Sequence, residues 1–433
     1  MSKKREKPAF YELPLVKDMM ALLGGRATVG LMSNFFSGRI YSGKLCLIQV
    51  SNFLKAAFDQ GDGKALIITD AFTKKFVKKV KQYLDLANIQ SEVWSGAEPE
   101  APLPTIEDGL KICESYKPNI LIAIGGGSVI DTSKILFLKY EKPELDIYTI
   151  IPYLSSLGLR KKIKYFIAIP TTSGTGSEVT PAAVATDTDR IPPKKLEFMH
   201  DDLIPDIAIL DTYFVKDMPP FLTMATGLDA LAHAVGAYIS VLGNPIADAL
   251  NKAAISEILT YLPRACKYGG KDIEARTHMQ IAATLAGLGF GNTIAGIDHS
   301  LGHSLGKIFG LHHGFSVGLF LPYSVEFQAK ITNRWKDLCP LFNVSMENKS
   351  REELLGDLID SIKNFINSIG GATSIRDIEK PIIIGEEDFN NKLDILANYA
   401  YEDGVTLFSY RPIDEKTYKK IFKKAYNGER VNF

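Results

Sequence analysis

Two pairs of residues spaced four apart, Asp229 with His233 and His299 with His303, carry the most evident chemistry in this chain, and His313 follows ten residues after the second pair. An α-helix returns to the same face after three or four residues, so each pair presents both members on one side of a helix. Gly306 and Gly310 lie between His303 and His313, where the chain can turn back. The chain has seven histidines, and five of them (His233, His299, His303, His312 and His313) fall in these two stretches. A single histidine in an apolar helix usually belongs to a core or a surface. Several together in apolar, glycine-rich surroundings would be costly to bury without a partner. Imidazoles with a carboxylate suit a borderline divalent ion, Fe²⁺ or Zn²⁺. His200, His278 and His312 stand outside the spacing and read as structural or surface residues.

Two glycine loops form a second constellation. IGGGS at 124–128 directly follows an apolar run and precedes a helix-like segment at 129–138. Its glycines leave backbone N–H groups unshielded at a helix N-terminus, a place for a pyrophosphate. It is not the dinucleotide fingerprint, because Ile130 stands where the third glycine belongs, and by itself it is equally a tight strand–helix turn. PTTSGTGSE at 170–178 leaves another apolar run; Thr171, Thr172, Ser173 and Thr175 offer hydroxyls, while Gly174 and Gly176 allow close backbone approach. Two such loops on one sheet edge make a nucleotide crevice. Asp70 ends the run ALIIT; its carboxylate can hold an adenine ribose and repel a 2′-phosphate, favouring NAD over NADP, or it can cap the following helix.

The elements that must position these groups follow from periodicity. Strand-like runs at 65–69, 91–94, 119–124 and 165–169 alternate with amphipathic stretches at 73–86 and 106–116, which predicts a parallel sheet covered on both faces. From about residue 223 the patterns turn long and helical, at 226–240, 246–261, 273–286 and 352–369. The expected organisation is α/β: a Rossmann-like parallel-sheet nucleotide-binding domain over 1–221, then an all-helical metal-binding and substrate domain over 222–433. The join falls near residues 218–222, at Pro219-Pro220. Residues up to about 38 read as an extension.

Composition excludes several classes. Lys+Arg and Asp+Glu each total 50, so the net charge of zero gives no pull toward nucleic acid or an anionic membrane. The cluster Lys74, Lys75, Lys78 and Lys79 reads as a solvated helix face. Four scattered cysteines (Cys46, Cys113, Cys266, Cys339) fit reduced thiols in a cytoplasm. The basic start contains no apolar run of signal-peptide length, and no stretch of 18 or more apolar residues occurs.

With these motifs in place, the chain resembles the iron-containing (group III) alcohol dehydrogenases, in particular butanol dehydrogenases and the alcohol-dehydrogenase half of bifunctional aldehyde/alcohol dehydrogenases. The resemblance rests on KPNILIAIGGGSVID (117–131), IAIPTTSGTGSEVT (167–180), the segment 226–240 and the segment 299–322, and runs from about residue 39 to the C-terminus. It implies the dehydroquinate synthase-like architecture, with Asp229, His233, His299 and His313 as metal ligands. His303 would lie near substrate and nicotinamide and relay the proton. Asp70, Gly126, Gly127, Ser128, Asp131, Thr171, Thr172, Thr175 and Val184 would meet the dinucleotide; Lys195 matches less securely, because 188–193 aligns poorly. After His233 the family usually reads Ala-X-Glu-Ala-Tyr, whereas this chain has Gly236 at the glutamate position.

The expected reaction moves a hydride between a primary alcohol/aldehyde pair and NAD(H), a metal acting as Lewis acid on the substrate oxygen. Ile294 and Phe309 are candidate pocket walls. The resemblance implies a homodimer or higher homo-oligomer, relatives commonly being dimers built through the nucleotide domain. A polyol or glycerol-phosphate dehydrogenase typically has fewer ligands, and a hydroxyacid–oxoacid transhydrogenase is a further relative. A catalytically silent binder should have lost a ligand or a loop, and a metallohydrolase would leave both glycine loops without a task.

Overall fold

The computed structural model describes residues 13–14, 16–17, 35–149, 156–190 and 193–433. Contacts divide the chain into two units, one built on Phe36–Asp217 and the other on Met218–Phe433. Most of the N-terminal extension lies outside the described residues; Lys17 Nζ sits 3.5 Å from Glu402 Oε1 in the second unit.

The first unit is a six-stranded parallel sheet with a separate hairpin. Its strands are β1 (Arg39–Ser42), β2 (Lys64–Thr69), β3 (Gln90–Trp94), β4 (Ile120–Gly125), β5 (Tyr165–Pro170) and β8 (Ile207–Leu210), in the order β1-β8-β5-β4-β2-β3. β6 (Ala182–Asp187) and β7 (Lys194–Met199) form the antiparallel hairpin, which the apolar-run reading does not contain. Between the strands run α1 (Cys46–Ala57), α2 (Val77–Leu86), α3 (Leu103–Tyr116) and α4 (Gly127–Glu141). Successive strand residues point to opposite faces. Leu66, Ile68, Leu121 and Ala123 therefore pack in one apolar cluster, and Ala65, Ile67, Ile120 and Ile122 in the other. Both faces being covered is why these runs are apolar without alternation.

Register brings the loops together. Thr69 pairs with Ile124, and Gly125 with Pro170, so β2, β4 and β5 end level at their carboxyl ends. β3 lies on one side of β2 and β4 on the other, which makes the β2–β4 junction the topological switch point. One surface expectation is corrected: Lys74, Lys75 and Lys78 are exposed, but Lys79 pairs with buried Asp211 at 3.1 Å and lies 3.7 Å above the Tyr213 ring.

The second unit is helical, with no strand among its described residues: α5 (Pro220–Ile239), α6 (Pro245–Tyr268), α7 (Ile273–Gly291), α8 (Ile297–Phe309), α9 (His313–Ala329), α10 (Arg351–Ser368), α11 (Glu386–Tyr401) and α12 (Glu415–Asn427). Glycines let α5, α8 and α9 approach closely. A Cβ on Gly314 would come 2.2 Å from the Ala225 carbonyl oxygen, and one on Gly302 would come 2.6 Å from Val317 Cγ2. No helix among the described residues is long and apolar enough to cross a membrane.

Candidate metal centre and nucleotide edge

Three helices converge on the metal-type residues. Asp229 and His233 lie mid-way along α5, His299 and His303 on α8, and His313 is the first residue of α9. Because Gly314 admits the α5 backbone, the start of α9 is drawn against Asp229. One donor atom from each of Asp229, His299 and His313 falls within 4.8 Å of the others. Asp229 Oδ1 lies 3.2 Å from His313 Nε2 and 3.8 Å from His299 Nε2. His233 is adjacent rather than inside this triplet: its ring stacks on His299 at 4.5 Å and on Phe290 at 4.1 Å.

The electrostatics fit a cation. Asp229 and His299 are 2% and 3% exposed, and Asp229 Oδ1, His299 Nε2 and His233 Nδ1 are buried without an aligned hydrogen bond. Buried polar atoms of that kind are rare unless something binds them. Burial works to raise the Asp229 carboxyl, but His233, His313 and His299 around it hold it well below the usual carboxylate range. Burial pushes His233 down to about 3, which keeps the imidazole neutral and its lone pair available. A carboxylate with imidazoles is a donor set for Fe²⁺ or Zn²⁺.

His303 stands beside this centre, its ring 4.9 Å from that of His313, with Nδ1 2.7 Å from Asp403 Oδ2. Asp403 is held in turn by Ser300 Oγ and the Val405 N–H, at 3.2 and 3.0 Å. Nothing in the sequence pointed to Asp403, which lies 100 residues away. The histidines outside the spacing have local contacts: His278 pairs with Glu257 and stacks on Tyr261, His200 Nδ1 accepts from the Asp202 N–H, and the His312 ring meets Phe221 edge-on at 5.9 Å. Phe309, a candidate pocket wall, belongs to the helical core, with Lys392 4.6 Å from its ring centre. Ile294 is buried.

In the first unit the two glycine loops abut. A Cβ on Gly126 would meet Thr172 at 3.2 Å, and one on Gly127 would meet Thr175 at 2.7 Å. α4 starts at Gly127 with no side-chain cap on its first turn, and Ser173 Oγ is buried without a hydrogen bond nearby. Uncapped N–H groups and an unpartnered hydroxyl at a sheet's carboxyl edge fit a phosphate group. Asp70 sits at the same edge. Its Oδ1 accepts from the Phe72 N–H, the Thr73 N–H and the Thr73 hydroxyl, so it does cap the turn that follows.

Other expected contacts are committed to the protein itself. Ser128 Oγ accepts from the Glu100 N–H at 3.1 Å. Asp131 accepts from Ser177 Oγ at 2.5 Å and from the Val184 N–H at 3.0 Å, so these residues tie α4 to the hairpin. Lys195 Nζ lies 3.9 Å from Glu100 Oε1; residues 191–192 of the loop before it lie outside the described residues. Beneath them Lys134, fully buried, donates to Ser177 Oγ, the Thr180 carbonyl and the Ala182 carbonyl. A lysine three residues after Asp131, on the same helix, was the signal for it.

Comparison with known proteins agrees with both halves. A family model described as iron-containing alcohol dehydrogenase matches residues 37–212, and one described as the C-terminal part of the Fe-containing alcohol dehydrogenase family matches 223–426. The chain belongs to the iron-containing alcohol dehydrogenase family. It is 34% identical over 401 residues to an NADPH-dependent butanol dehydrogenase of Clostridium saccharobutylicum, covering 91% of this chain and 98% of that one. It is 31% identical to a bifunctional aldehyde-alcohol dehydrogenase of Escherichia coli K12, across 87% of this chain but 44% of that protein. A solved iron-containing alcohol dehydrogenase from Thermococcus thioreducens superposes with a TM-score of 0.80 at 30% identity, over 92% of this chain and all of that one. Within this family the α/β unit followed by a helical unit is the shared architecture.

Proposed function

We propose that the protein is a metal-dependent alcohol dehydrogenase that interconverts a primary alcohol and its aldehyde with NAD(H), using Fe²⁺ held by Asp229, His299 and His313 with His233 beside them. The observation that carries this reading is the convergence of these donors with Asp229 Oδ1 and His299 Nε2 buried and without an aligned hydrogen bond. When bound there, the cation supplies Lewis acidity for the substrate oxygen, and the nicotinamide supplies or accepts the hydride. The chain's residues do the rest. The α4 N-terminus and Ser173 hold the phosphates, and Asp70 faces the adenosine ribose. Asp403 fixes the ring of His303, to which this reading gives the proton transfer. The protein would work in the cytoplasm, as a homodimer.

NAD rests on Asp70, whereas the Clostridium relative is named for NADPH. The test follows the nicotinamide absorbance with butanal, comparing NADH with NADPH on protein loaded anaerobically with Fe²⁺, loaded with Zn²⁺, or treated with chelator. Metal-dependent oxidation of NADH is expected, and His299→Ala should lower kcat/KM by about 10³-fold, ~4 kcal/mol of transition-state stabilisation. Turnover that persists after complete metal removal would sink the reading. A strong NADPH preference would remove the ribose role of Asp70.

A further inference from the structure

Next to the ligand His299 stands Asp298, a carboxylate with no exposure at all. His299 Nδ1 donates to Asp298 Oδ1 at 2.6 Å. That bond places the ring proton on Nδ1 and leaves the lone pair on Nε2, the atom in reach of Asp229. Asp298 Oδ2 is buried and has no hydrogen-bond partner. A buried carboxylate half satisfied in this way is costly unless a positive charge lies close by.

We propose that Asp298 is a positioning residue of the metal centre. Its carboxylate fixes the tautomer and orientation of His299, raises the basicity of Nε2, and draws its own stabilisation from the cation bound beyond the ring. This inference rests on the metal-centre reading above.

A second observation accounts for the departure at Gly236. A Cβ there would lie 2.5 Å from the Gly296 backbone nitrogen and 3.0 Å from its Cα. A Cβ on Gly296 would in turn meet Asp298 Oδ2 at 2.4 Å. The segment leading into α8 is therefore pressed against α5 through two glycines, and the Asp298 carboxylate lies against that contact. At this contact α5 has no room for a side chain, and the carboxylate beside it is that of Asp298 on α8, bonded to the ligand His299.

Carboxylate–histidine pairs of this sort typically alter metal affinity by about 10–100-fold when broken. The test compares the parent protein with Asp298→Asn and Asp298→Ala, measuring Zn²⁺ affinity by chelator competition and thermal unfolding of the metal-free forms. The expected result is a roughly 10–100-fold weaker Zn²⁺ affinity in both variants, with metal-free Asp298→Asn unfolding at the parent's temperature or above. The two readouts thus move in different directions, which a merely structural role would not produce. Unchanged Zn²⁺ affinity, or an affinity loss matched by an equal loss of metal-free stability, overturns the inference and leaves the metal-centre reading standing. A parent protein that takes up no Zn²⁺ overturns both.

Discussion

Two of the buried polar centres among the described residues are built from similar groups, and they differ in how completely they satisfy themselves. Beneath the nucleotide edge, Lys134 is surrounded by Asp131, Ser177, Thr180 and the Ala182 carbonyl, and its ammonium donates to oxygens of the protein. In the helical unit, Asp229, His299 and His313 bring their donor atoms together, yet Asp229 Oδ1 and His299 Nε2 have no aligned partner. Both sites are ionisable, buried and held by several elements. The saturated one is scaffolding, since nothing is left over for a ligand to bind. The unsaturated one is cheap to keep only if something from outside completes it. Between these two centres the difference is polar saturation rather than burial or residue type.

Breaking the saturated centre should have the largest effect on stability. Lys134→Met removes a buried ammonium whose charge offsets those of Asp131 and Glu178, together with its hydrogen bonds to Ser177, Thr180 and Ala182. A loss of about 3–5 kcal/mol is expected in denaturant unfolding of the first unit. Zn²⁺ affinity should stay at the parent value, because the two centres lie in separate units. Unchanged unfolding in this variant would mean that the lysine network is not what holds the α4–hairpin junction. Completing the unsaturated centre gives a smaller, concentration-dependent effect of opposite sign. Zn²⁺ at a hundred times its dissociation constant should stabilise the protein by about 2.7 kcal/mol, with the gain vanishing in Asp229→Ala. A gain that survives Asp229→Ala would place the ion elsewhere.

The contrast also explains what the sequence made legible. Strands β2, β4 and β5 were readable because burial on both faces of a parallel sheet demands short unbroken apolar runs. The cluster of Asp229, His299 and His313 was only partly readable: the i, i+4 spacing singles out Asp229 and His299 but pairs them with His233 and His303, which lie beside the triplet, and His313 carries no such spacing. α9 was not readable: every residue from Gly314 to Ala329 is buried. A helix that is apolar all round has no period to detect. The hairpin β6–β7 was missed for other reasons: the apolar stretch of β6 is mostly alanine, a poor strand former, and β7 interleaves Lys194, Lys195 and Glu197 with Leu196 and Phe198. Asp131 and Val184 were each singled out in the sequence as dinucleotide contacts, whereas in the structure Asp131 accepts from the Val184 N–H. That bond was not legible, because pairings such as Asp131–Val184 and His303–Asp403 join residues far apart in the chain. Asp298 stood in plain view beside His299, but only distances distinguish a carboxylate that orients a ligand from one that is merely its neighbour.

Per pH unit the smallest change is expected from a pH dependence, which tests the saturated centre from within. Burial lowers Lys134 from 10.5 to about 8, against the opposing pull of Asp131 and Glu178. Between those values the unfolded chain holds a proton that the folded chain has released, so stability rises with pH across that window. The slope is at most about 1.4 kcal/mol per pH unit. The buried cysteines work the other way: Cys113 is pushed up to about 12 and Cys46 to about 11 by burial. Above their ordinary value of 9.0 the folded chain keeps protons that the unfolded chain loses, and stability falls. Total stability therefore does not isolate the lysine, but the difference between the parent and Lys134→Met does, since both carry the same cysteines. That difference should widen as pH rises from about 8, measured by urea unfolding at several pH values. A difference that stays flat or narrows would show that Lys134 remains charged in the folded protein, held by its carboxylate neighbours more strongly than burial disfavours it.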